Sequence, residues 1–177
     1  MENPLTFLVP TVISGVKSEV LMSILHPAEV ARLQEAGFVA LRIQRIPIGL
    51  AVNFDDAALY VAPAGPVPEE HLEWLGRVLL GLGTGLQRTA GNGPVVVITD
   101  HRSAPAFTPA VYEVFLSWCR QAKAEFKPKI LRIVPKNAVR NFTLQTDMMQ
   151  RKTRYDLIGS VHDLGTALER LRWIRRS

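Results

Sequence analysis

Four consecutive residues, Asp100, His101, Arg102 and Ser103, set a carboxylate, an imidazole, a guanidinium and a hydroxyl side by side. They end the run Val95-Val96-Val97-Ile98-Thr99-Asp100, whose continuous β-branched character is typical of a central strand covered on both faces. Ligands of open α/β sheets sit in crevices beyond the carboxyl ends of strands, so these four residues form the candidate ligand loop. Asp100, His101 and Ser103 are also the types an enzyme would use. Neighbours in a loop point in different directions, however, and the chain offers no separate nucleophile-and-base pair. Asp100 is therefore expected as a cap for the loop rather than a catalytic acid.

The next chemistry-bearing group is Thr108-Pro109. Threonine followed by proline is a common way to open a helix, and Val111, Val114, Phe115, Trp118 and Ala122 continue with the apolar spacing of a helical stripe. A phosphate on Thr108 would meet unpaired backbone donors and the positive end of the helix dipole, so the position suits a switch as well as a cap. Gly81, Gly83 and Gly85 have the composition of a phosphate loop, but the order is helix, glycines, strand, which favours a flexible connector. Glu69 and Glu70 lie where a helix starts and serve its dipole. The one cysteine, Cys119, and the four histidines show no metal-ligand spacing, which argues against a zinc site and a disulfide scaffold; no cofactor is expected.

Charge is unevenly distributed. The formal net charge is +5 over 177 residues, but residues 1–115 carry −4 and residues 116–177 carry +9. Lys123, Lys127, Lys129, Arg132, Lys136 and Arg140 form one basic group, and Arg151, Lys152 and Arg154 begin a second. A shared face would suit phosphate in nucleic acid or lipid headgroups. No recognition-helix or ribonucleoprotein motif accompanies it and aromatics are only 7%, so an acidic protein surface, or a second copy of the chain, is the expected partner. Trp74 and Trp173 lie off the main apolar stripes and are further candidate contact anchors. An apolar share of 47% supports a real core. The start Met1-Glu2-Asn3-Pro4 lacks a secretory pattern and no stretch approaches a membrane span, so a cytoplasmic location is expected.

These residues need elements to position them. Two strands are expected at Phe38 to Ile46 and Ala57 to Ala62, with Asn53 to Asp56 as turn chemistry between them. A helix follows from Pro68 with Leu72, Leu75, Leu79 and Leu82 on one side. Then come the strand at Val95, the Thr108 helix, a strand at Ile130 to Val134, a helix from about Asn137 to Arg151, a short strand near Ile158 and a last helix from Asp163. This alternation implies a partly parallel sheet covered by helices. Val20 to Leu25 is expected as a strand and His26 to Gly37 as a short capped helix; residues 1–37 are taken as an N-terminal elaboration of the domain at 38–177.

The strand ending in Asp100, the helix opening near Thr108, the strand Ile130 to Val134 and the closing Asp163-Leu164 and Ala167-Leu168 pairs resemble a STAS domain of the kind found in bacterial anti-sigma-factor antagonists, over roughly residues 45–175. The resemblance implies an α/β fold with a mixed sheet of four or five strands. It also implies a non-enzymatic regulatory or scaffolding module that binds another protein. In that family a kinase modifies a serine, usually within an Asp-Ser pair, at the start of the helix after the central strand. Thr108-Pro109 stands there in this chain, which leaves Thr108 or the nearby Ser103 to carry such a switch. The alternative is a small-ligand or lipid carrier with its pocket between Asp100 and Phe107.

Overall fold

The computed structural model describes residues 11–12, 19–43, 46–91, 93–136 and 141–177. Its elements run β1 (Thr11–Val12), α1 (Glu19–Ile24), α2 (Pro27–Glu35), β2 (Val39–Arg42), β3 (Ile48–Asn53), β4 (Ala58–Pro63), α3 (Glu69–Thr89), β5 (Val96–Asp100), α4 (Pro109–Glu125), β6 (Lys129–Ile133), α5 (Asn141–Thr153), β7 (Asp156–Val161) and α6 (Leu164–Arg176). The seven strands form one sheet in sequence order. Pairing is antiparallel from β1 to β4 and parallel from β4 to β7. The fold is α/β with a mixed sheet, as the alternation of elements implies.

Helices cover both faces. Leu21 and Leu25 of the α1 segment, Leu33 of α2 and Leu164, Leu168 and Leu171 of α6 share one core with Tyr60, Ile98, Leu131 and Ile133. Leu75 and Leu86 of α3 pack with Leu50, Leu59 and Val97 on the other face, together with Phe126. Leu116 of α4, Met149 of α5 and Tyr155 extend that second face. The three crossover helices share a face because successive crossovers of one hand, advancing across the sheet in one direction, must do so.

The sheet is larger than the four or five strands expected, and the difference arises before Ala58. The expected strand from Phe38 to Ile46 is the shorter β2, and β1 and β3 are strands the sequence pattern does not announce; β3 begins directly after Pro47. Proline breaks the ladder there, and the Pro47 carbonyl instead accepts from Ala64 N–H at 2.7 Å. β3 escapes a period-two reading because all six of its residues are buried. Val20 to Leu25 is largely helix, not strand: Leu21 and Leu25 are one turn apart and both buried. Gly49 of β3 makes room for it, since a Cβ at that position would lie 2.5 Å from Leu21 Cδ2.

The expected connector at Gly81 to Gly85 is the interior of α3. Two of this helix's glycines are packing devices. A Cβ on Gly76 would lie 2.3 Å from Trp118 Nε1, and one on Gly83 would lie 2.2 Å from the Phe126 ring. They let α4 and the residue that follows it close onto α3. Gly81 and Gly85 have no heavy atom within 4 Å of such a Cβ. In urea unfolding, Gly76→Ala is expected to lose about 1–3 kcal/mol through overpacking. Gly81→Ala is expected to gain about 0.5–1 kcal/mol from helix propensity alone.

Candidate functional site

The residues at the end of β5 separate according to strand alternation. Asp100 points to the face of α1, α2 and α6. It is 4% exposed, and Arg102 neutralises it as a fork: Nη2 donates to Oδ2 at 2.7 Å and Nε to Oδ1 at 3.0 Å. Arg102 N–H also donates to Oδ1 at 3.0 Å, which makes Asp100 the cap of its own loop. Tyr60 Oη donates to Asp100 Oδ2 at 2.7 Å. Arg102 Nη1 reaches Glu29 Oε1 of α2 at 2.7 Å, while Glu29 Oε2 accepts from His26 N–H as part of the cap of α2. The Tyr60 phenol is held well above its ordinary range, first by burial and then by the Asp100 carboxylate. The Arg102 guanidinium is pushed further up, chiefly by its hydrogen bond to Asp100 and against the desolvation that burial imposes.

His101 points the other way and is 1% exposed. Its Nε2 pairs with Thr99 Oγ1 at 3.1 Å and its Nδ1 with Thr143 Oγ1 of α5 at 3.2 Å. Phe142 meets the ring edge-on at 4.8 Å. Burial, helped by the Arg132 charge, lowers the His101 pKa from 6.5 to about 4. Ser103 is exposed. The four residues of the candidate ligand loop thus do not converge, and His101, with both nitrogens engaged, is not placed as a base for Ser103.

His101 and Thr99 border a cavity of about 140 Å³ between the sheet and helices α4 and α5. Phe107, Phe115, Cys119, Phe142, Met149 and Tyr155 supply much of the remaining lining. The sequence places Phe115 on the apolar stripe of its helix and Phe107 at the edge of the expected pocket. Phe142, Met149 and Tyr155 are 27 or more residues beyond Phe115 in the chain and carry no local signal of this role. Gln145 of α5 clips the loop before α4 in place, donating to the Phe107 carbonyl at 2.9 Å and accepting from its N–H at 2.7 Å. Thr108 is the exposed N-cap of α4, accepting from Val111 N–H at 3.4 Å.

The basic residues divide as well. α4 and α5 both end at the amino ends of β6 and β7, where Lys129 is in register with Asp156. This edge gathers Lys127, Lys129, Arg151, Lys152 and Arg154, together with Lys123, whose Nζ donates to the Thr153 carbonyl at 3.0 Å. Arg132 does not belong to a contact face: it is 7% exposed, with Nε on Ser160 Oγ at 3.2 Å and Nη1 on Asp147 Oδ1. On β6 it faces α5, where burial requires a partner carboxylate. Lys136 is exposed beyond the opposite end of β6, and Arg140 lies outside the described residues. Trp173 is 70% exposed on α6.

Among the described residues, no three His, Cys, Asp or Glu side chains come together to hold a metal ion, and no helix is long and apolar enough to cross a membrane. No family model, curated protein or solved structure matches this chain.

The His101 shift has a definite sign. Its folded pKa lies below the unfolded value, so its stabilising contribution is complete above pH 6.5 and is lost as pH falls toward about 4. The loss attributable to this one group is about 3 kcal/mol. Equilibrium unfolding followed between these limits should show a steeper fall in stability for the wild type than for His101→Gln. Asp100→Ala leaves Arg102 with Glu29 alone and is expected to cost about 2–4 kcal/mol by the same assay.

Proposed function

We propose that this chain is a non-enzymatic regulatory module that binds an acidic protein partner through the basic edge at the amino ends of β6 and β7. One observation carries this reading. Lys127 and Arg154, which follow α4 and α5, both hold left-handed backbone, with φ of 46° and 52°. Their N–H groups close the two helix ends onto the Ala122 and Gln150 carbonyls at 3.0 and 2.7 Å. Glycine usually occupies such a position, because a Cβ is strained there. Two neighbouring helix ends instead carry long cations, which also complement the negative ends of both dipoles. Residues 123–129 and 151–156 together hold six cations against two carboxylates, Glu125 and Asp156. Retaining strain at exposed positions in favour of charge is consistent with a contact surface.

The resemblance to STAS domains supports the same class of function. By that resemblance the start of α4 would carry a phospho-switch; Thr108 is exposed there, and a phosphate on it would face the helix N-terminus. The closed Tyr60-Asp100-Arg102-Glu29 network supports the non-enzymatic part of the reading, since its polar groups are committed to one another.

The test pairs two variants. Lys127→Gly with Arg154→Gly should leave stability unchanged or raised by up to ~1 kcal/mol while weakening partner capture from native extract at least about 10-fold. Lys127→Glu with Lys129→Glu and Arg154→Glu should abolish capture. Wild-type capture should fall when salt is raised from about 0.1 M to about 1 M. Capture that is indifferent to both variants and to salt would overturn the proposal.

A further inference from the structure

We infer that the cavity between the sheet and helices α4 and α5 is a binding site for one small neutral aromatic molecule, between benzene and indole in size. The size comes from the cavity itself, about 140 Å³, since an apolar cavity of about 150 Å³ accepts benzene. The aromatic character comes from its walls. Phe107 stacks on Phe115 with centroids 4.4 Å apart and leans on Phe142 at 4.7 Å. A flat ring can join such a set edge-on or offset-stacked.

Neutrality follows from the polar atoms of the lining, which are already engaged. Thr99 Oγ1 is paired with His101 Nε2 at 3.1 Å. Thr146 Oγ1 donates to the Thr143 carbonyl at 2.9 Å, and Tyr155 Oη donates to the Thr146 carbonyl at 3.2 Å. A water or polar ligand would find no ready partner there and would bear its desolvation cost uncompensated. Cys119 also lines the cavity, but burial pushes its thiol up to about 11. It stays protonated, so binding is non-covalent. No Lys or Arg lines the cavity, so this site is separate from the basic edge.

The test uses benzene and indole as probes of the full chain. Thermal unfolding of the wild type should shift upward by about 3–5 °C at ten times Kd, because the ligand binds only the folded state. Ala122 lines the cavity beside Cys119, so Ala122→Leu and Cys119→Leu each add apolar volume to the wall and should abolish the shift. The Met149 methyl resonance of the wild type, which reads the cavity directly and needs no variant, should move when indole is added. Absence of a thermal shift with both probes, a shift undiminished in both filled variants, or an unmoved Met149 methyl would each overturn the inference. So would a shift produced by decanoate while the aromatic probes stay silent, since the occupant would then be a chain rather than a ring.

Discussion

The buried carboxylate of Asp100 is the constraint from which much of the molecule's arrangement follows. A carboxylate at the end of a central strand carries a large desolvation penalty unless it is paired and hydrogen-bonded. Arg102 supplies the pair from two residues away, so the chain must turn at once and its backbone N–H is drawn onto the same oxygen. Tyr60 satisfies Asp100 from β4 and Glu29 extends the network to α2. Two ion pairs sharing Arg102 therefore set the loop path and tie α2 to the parallel half of the sheet. Alternation does the rest: with Asp100 on one face, His101 is delivered to the other, where it becomes a wall of the aromatic cavity.

The two ends of the parallel strands have different chemistry. At the carboxyl ends, the loop after β5 and the start of α5 bring Phe107 and Phe142 together under the clip of Gln145. At the amino ends, α4 and α5 finish side by side, because crossovers of one hand return to the same edge. Cations there gain from two helix dipoles at once. Pro128 and Tyr155 line the cavity and flank Lys127, Lys129 and Arg154 in the chain, so the apolar site and the basic edge are built from adjoining residues.

Legibility in the sequence followed how local the cause was. Thr108-Pro109 and Asp163 mark helix starts through bonds to residues three positions on, and both caps form as read. The strand at Val96 to Asp100 was visible because burial on both faces leaves a continuous β-branched run. β3 is buried just as fully, but its Gly49 answers to Leu21 of α1, a partner 28 residues away. The glycines of α3 read as a connector in the sequence because glycine is a poor helix former. Gly76 and Gly83 are explained only by Trp118 and Phe126 across the helix interface.

The chain by itself determined the order of elements from Ala58 onward, the α/β class, the helix caps and the location of a charged loop at the end of a central strand. Periodicity, capping and turn chemistry are short-range, so they are written within a few residues. Tertiary structure alone decided which charges are usable. Arg132 is consumed inside by Asp147, whereas Lys127 and Arg154 are left at an open edge in strained backbone. It also divided Asp100 from His101 and assembled the cavity from β5, α4, α5 and Tyr155. Burial and pairing depend on what lies across the sheet, and that distance in space has no fixed distance in sequence.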